Sequence, residues 1–163
     1  PRDNPRLAGG YLCDESGSMS GAAIEASVRT GIILQDLCSR MELPCYVCGF
    51  TSGGYCGVQI LSYVDKDIDG KDKYRITGMS SRGGTPTVPA MRYMGEKLKK
   101  DETEKKISVM EQRLNELDTI LCTPEGASDM DVVNEYTSIK QRMDEEEERW
   151  TLLSEDLEAL KAN

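Results

Sequence analysis

The chain has 163 residues, 38% of them apolar and 30% charged, with a formal charge of −9; this is one ordinary domain's length at near-average composition. The charge is uneven: residues 1–95 carry ten basic and ten acidic side chains, whereas residues 96–163 carry ten basic and nineteen acidic. That balance argues against nucleic acid as a partner, because phosphate binding needs clustered Lys and Arg. There is no His, so Ser-His-Asp and Cys-His catalysis and every His metal site drop out, and the expectation is a protein that is not an enzyme.

Residues 1–10 read as a tail or linker, and the opening Pro1-Arg2-Asp3, without Met, reads as part of something longer. No signal peptide or membrane-spanning run is visible. The six Cys are therefore expected as free thiols in a cytoplasmic protein. Tyr11-Leu12-Cys13 is a short apolar run, a buried strand ending at Asp14. A polar Gly/Ser loop follows over 14–21. Residues 22–41 have helical spacing, with Ile24, Val28 and Ile32 on one line and Leu34, Leu37, Cys38 and Met41 on the next. That wide apolar arc suits a helix packed on a sheet. Residues 45–50 and 58–64 are the second and third strands, separated by a turn cluster at 51–54. An acidic loop is expected over 65–73 and a Gly/Ser/Thr loop over 78–86, with a helix opening near Thr87.

The helical pattern then persists. Ile107, Met110, Leu114, Leu117 and Leu121 step by three and four, as a heptad seam does. Pro124 and Gly126 break it, and Ser128 or Asp129 can cap the next helix. A second seam follows at Tyr136, Ile139, Met143, Trp150, Leu153, Leu157 and Leu160, with Glu146 where an apolar residue belongs. Two heptad helices joined by a short loop predict an antiparallel coiled-coil hairpin. Leu114, Leu117, Leu153 and Leu157 are expected to be buried, and Glu145 and Glu148 exposed. The predicted fold is thus α/β, about three strands plus helices over 11–98, followed by the helical hairpin over 99–163.

The chemistry concentrates in Asp14-Glu15-Ser16-Gly17-Ser18, which follows a strand and precedes a helix. Asp14, Ser16 and Ser18 offer three oxygen side chains at alternate positions in a tight turn. Such ligands suit Mg²⁺, Mn²⁺ or Ca²⁺ rather than Zn²⁺, with Mg²⁺ preferred here. A second loop, Ser81-Arg82-Gly83-Gly84-Thr85-Pro86, adds the Thr85 hydroxyl. In an open α/β sheet both loops would emerge at carboxyl ends of strands, where ligands usually bind. One carboxylate and three hydroxyls neutralise a divalent cation poorly, so the ion would gain most from an Asp or Glu of a partner protein. Arg82 would steer such an acidic partner, or simply face solvent. As plain helix caps, Asp14, Ser16 and Ser18 are over-provided, since capping accounts for one such residue and not three.

These residues resemble a known family. Asp14, Ser16, Ser18 and Thr85 match the metal-ion-dependent adhesion site of von Willebrand factor type A domains. Asp-Glu-Ser-Gly-Ser-Met-Ser-Gly, Gly49-Phe50-Thr51 and Gly-Gly-Thr-Pro-Thr are most similar to the bacterial branch found in cobaltochelatase subunits. The resemblance implies a Rossmann-like sheet, a bound divalent cation and a working partnership with an AAA+ ATPase. It covers only the first half of such a domain. Where the family continues with a buried strand ending in an Asp, this chain reads Lys97-Leu98-Lys99-Lys100-Asp101-Glu102. One side of the first strand would then lack a neighbour, an exposed edge that invites pairing with a second copy of the chain. The segment from about 101 on resembles the coiled-coil hairpin of ABC-F type ATPases, through the 107–121 seam, Thr123-Pro124-Glu125-Gly126 and Glu148-Arg149-Trp150. That resemblance implies an accessory arm without catalytic residues. The alternative function is structural, with a vestigial metal site and the acidic hairpin pairing with another helix. Cys45-x-x-Cys48 allows zinc or redox chemistry, but buried apolar thiols are the commoner case.

Overall fold

A computed structural model describes residues 7–53, 57–66 and 70–162. The chain is mixed α/β: a three-stranded sheet with helices. Strand β1 (Gly9–Asp14) is followed by a 3-10 turn (Gly17–Met19) and helix α1 (Ala22–Arg40). Strands β2 (Cys45–Gly53) and β3 (Gly57–Lys66) come next, then a short helix α2 (Asp72–Ile76). Helices α3 (Thr87–Leu121), α4 (Pro124–Ala127) and α5 (Met130–Ala162) complete the chain. Among the described residues, no helix is long and apolar enough to cross a membrane.

The strands lie in the order β1-β2-β3. Strand β1 runs parallel to β2, from Gly9 opposite Cys45 to Asp14 opposite Phe50, and β2 pairs antiparallel with β3. The central β2 is buried without a break from Cys45 to Thr51, which explains its near-continuous apolar character. Strand β1 is an edge of the described sheet. Strand β2 extends through residues 51–53, which the Gly/Ser composition marked as a turn; the pairing of Thr51 with Gln59 and Ser52 with Val58 outweighs weak local propensity.

Among the described residues, apolar clusters pack on the sheet. One joins Cys13, Cys38, Cys45, Val47, Val64, Ile76 and Met79, with Ile24, Val28 and Ile32 of α1 against it. Another joins Phe50, Val58 and Ala90, with Leu12 and Ile60 partly buried beside them. Helix α1 turns Ser27, Gly31 and Cys38 inward. The second apolar line expected on α1 splits: Leu34 and Cys38 pack on the core, whereas Leu37 and Met41 are exposed, as is Ile33. Helix α2 begins at the end of the expected 65–73 loop and runs into residues 74–76, to which no element was assigned; its buried Ile76 anchors it to α1 and the sheet.

The chain divides into two compact units, the first comprising residues 1–94 and 160–163 and the second spanning Gly95–Ala159. The division falls within α3, four residues before the 98/99 boundary expected from the sequence. In the second unit Leu114, Leu117, Leu153 and Leu157 are buried, as their spacing predicts, and Glu145 and Glu148 are exposed. Arg113 of α3 holds both carboxylate oxygens of Glu135 on α5, at 2.8 and 3.1 Å. Nearer the start of α3, Lys100 stands 4.5 Å over the Trp150 ring. Residue numbers thus rise along α3 as they fall along α5, so the two helices are antiparallel. The 122–128 break contains α4, whose Thr123 side chain accepts from the Gly126 amide, and Asp129 caps α5 by accepting from the Asp131 amide at 2.9 Å.

Candidate functional site

The site begins where β1 ends. Asp14 is the last strand residue, and its Oδ1 accepts the Ser16 amide at 2.8 Å. That bond folds the chain back so that Ser16 and Ser18 stand side by side, with their Oγ atoms 2.9 Å apart. Asp14, Ser16 and Ser18 are therefore brought together within one turn. Ser16 is buried, Asp14 half-buried and Ser18 exposed.

The second loop is tied to the first through its backbone. The Gly17 amide donates to the Gly83 carbonyl at 3.0 Å, and the Arg82 amide donates to the Glu15 carbonyl. The end of β2 holds the same loop from the other side. Thr51 Oγ1 donates to the Arg82 carbonyl, Ser52 Oγ accepts the Gly84 amide at 2.6 Å, and the Ser52 amide donates to the Gly84 carbonyl at 3.1 Å. Gly83 has a φ of 58°, a conformation that penalises a Cβ. A side chain there would also collide with Thr51 Oγ1 and Ser52 Oγ. Thr85 lies two residues beyond Gly83, exposed, just before α3. The loops meet at Gly17 and Gly83, while no side-chain hydrogen bond joins Thr85 to Asp14, Ser16 or Ser18 among the described residues.

Between the loops lies a feature that motif reading passed over. Glu15 is fully buried. Its Oε1 accepts the Tyr63 hydroxyl from β3 at 2.6 Å, and its Oε2 accepts Arg82 Nη2 at 3.0 Å and the Ser80 amide at 3.3 Å. Gly49 on β2 makes the room, since a methyl there would overlap the carboxylate. Burial, then the hydrogen bond to Glu15 and its charge, pushes the Tyr63 phenol above its ordinary range. The Glu15 amide donates to the Phe50 carbonyl at 2.9 Å, which carries the extended pairing one residue past β1, so side-chain alternation sets Glu15 on the same face as Cys13. Arg82, expected either to steer a partner or simply to face solvent, has its guanidinium on Glu15 and on the Ser80 carbonyl, with its side chain 42% exposed.

Cys13 adjoins this cluster, its thiol donating to the Asp14 carbonyl at 3.4 Å. Cys45 and Cys48 are both fully buried on β2. Burial, followed by the neighbouring Cys38, pushes the Cys45 thiol up to about 12. Among the described residues, no group of three or more Cys, Asp or Glu gathers as metal ligands would. A cation at Asp14 would thus depend on hydroxyl oxygens. Comparison with protein-family models, with curated proteins and with solved structures finds no match for this chain.

Proposed function

We propose that this chain is a non-enzymatic recognition module of the von Willebrand factor type A kind, cut to its first half-sheet and followed by a coiled-coil hairpin. In this reading Asp14, Ser16, Ser18 and Thr85 hold a divalent cation, preferentially Mg²⁺, with Mn²⁺ and Ca²⁺ as substitutes. A partner protein, an AAA+ ATPase subunit among the candidates, supplies an Asp or Glu carboxylate as a further ligand. The observation that carries the reading is the 2.9 Å spacing of Ser16 Oγ and Ser18 Oγ beside the Asp14 carboxylate. Octahedral Mg²⁺ with oxygens at about 2.1 Å needs adjacent ligands about 3.0 Å apart, a separation with which the 2.9 Å hydrogen bond between the two hydroxyls is compatible. With one carboxylate in the set, a bound ion would retain net positive charge and favour an anionic oxygen from outside. Calorimetric titration with Mn²⁺ tests this: saturable binding that disappears in Asp14→Ala supports the site, and identical binding in that variant removes it.

A second reading places the function in the helical unit, with the loops carrying no ion. The exposed Val109, Ile120 and Leu152 on its two long helices favour it, because apolar side chains on a helix surface are what a partner helix covers. Unchanged melting at millimolar Mg²⁺ together with concentration-dependent sedimentation would support this alternative.

A further inference from the structure

We infer that Glu15 is a positioning residue that fixes the second loop against the first, and through it the placement of Thr85; this rests on the cation-binding reading above. The carboxylate of Glu15 is fully buried and joins three segments that are distant in sequence. Tyr63 reaches it from β3, Arg82 and the Ser80 amide reach it from the second loop, and its own backbone carbonyl accepts the Arg82 amide. Ser80 and Arg82 thus clasp Glu15 just ahead of Gly83, which receives the Gly17 amide, and of Thr85 itself. Asp14 and Ser16, the residues flanking Glu15, supply two of the proposed oxygens. A single residue therefore faces the site with its neighbours and holds the opposing loop with its own side chain. Burying a carboxylate is costly unless its oxygens are hydrogen-bonded, so Arg82 and the Ser80 amide are held where Glu15 requires them. Outer partners of this kind typically change metal affinity 10–100-fold when removed.

The test uses the full chain and Mn²⁺ titrated calorimetrically into wild type, Glu15→Gln, Arg82→Gln and the double variant. The two single variants separate positioning from simple charge. Removing a negative charge next to a cation weakens binding, and removing a positive charge strengthens it. Positioning predicts that both single variants weaken Mn²⁺ binding by about tenfold or more, and that the double variant is no worse than the weaker single one. Arg82 is partly exposed, so Arg82→Gln decides the matter even if Glu15→Gln fails to fold. Wild-type binding with Arg82→Gln unchanged or tighter overturns the positioning role and leaves the cation site standing. Absence of Mn²⁺ binding by the wild type overturns the cation reading and this inference with it.

Discussion

The Tyr63 hydroxyl donates to Glu15 Oε1 at 2.6 Å, so a phenol on the outer strand β3 completes the shell of a carboxylate that follows the end of β1. The bond requires the phenol to keep its proton. Tyr63 titrates above its ordinary value in the fold, first through burial and then through Glu15. A raised value means that its contribution is fully present below the unfolded value of about 10 and is lost as pH climbs through the folded one. Thermal melts of the sheet unit should therefore fall in alkali above about pH 10. Tyr63→Phe should be less stable at neutral pH and show a shallower alkaline decline. Tyr11, raised chiefly by burial as well, leaves a residual slope in both proteins.

Asp14→Ala should abolish stabilisation by Mg²⁺ or Mn²⁺, because it removes the carboxylate from the proposed ligand set. Ser16→Ala and Ser18→Ala should weaken it less. Wild-type protein at one hundred times its dissociation constant should gain about 2.7 kcal/mol. Melting with and without the ion measures the difference, and an equal shift in Asp14→Ala would place the ion elsewhere.

Gly49→Ala should disrupt the site without touching a proposed ligand. The added methyl overlaps the Glu15 carboxylate, and crowding of a packed interior costs about 1–3 kcal/mol. Denaturant unfolding should show that loss. Combining it with Glu15→Ala, which vacates the space, should recover part of it. A Gly49→Ala protein as stable as wild type would mean that Glu15 has another place to go.

The helical unit offers a pair of opposite substitutions. Leu117 is 1% exposed, and an Asp there would bury a charge without a partner, so Leu117→Asp should melt the unit. Glu146 occupies a position that the heptad spacing reserves for an apolar side chain, and its Oε2 is buried without a hydrogen-bond partner. Glu146→Leu should accordingly stabilise the unit by about 1 kcal/mol. Trp150, the chain's one tryptophan, lies in this unit and reports both effects by fluorescence. A destabilised Glu146→Leu protein would show that the carboxylate has a role in the packing.

Legibility in the sequence followed the strength of local patterns. Strand β2 was readable as a short, near-continuous apolar run, helix α1 because its apolar residues recur with the helical period, and the start of α3 at Thr87 because a Gly/Pro-rich loop precedes it. The buried Leu114, Leu117, Leu153 and Leu157 followed from heptad spacing alone. Helix α2 was missed because five residues with Lys and Asp in them carry no periodicity, and tertiary contact of Ile76 decides the matter. Helix α4 was missed for the same reason, being one capped turn. The exposure of Leu37 and Met41 was hidden because helical spacing defines a face but not what covers it. Asp14, Ser16 and Ser18 were legible as neighbours through alternate spacing. The Glu15 cluster was not, because Tyr63, Ser80 and Arg82 meet it across 48, 65 and 67 residues of chain.

The distribution of thiols gives the molecule a built-in gauge of its own opening. Among the described residues, Cys13, Cys38, Cys45 and Cys48 are buried in the sheet unit, while Cys122 is exposed in the helical one. Thiolate is the form that alkylating reagents attack, and burial holds the Cys45 thiol near about 12, far from the range where it would react. A small reagent at neutral pH should therefore modify the exposed Cys122 quickly and reach Cys13, Cys38, Cys45 and Cys48 only when the packing of α1 on the sheet opens. Their labelling rate, followed by mass spectrometry, would report how often the sheet opens, while the Cys122 adduct serves as the internal standard for reagent and time.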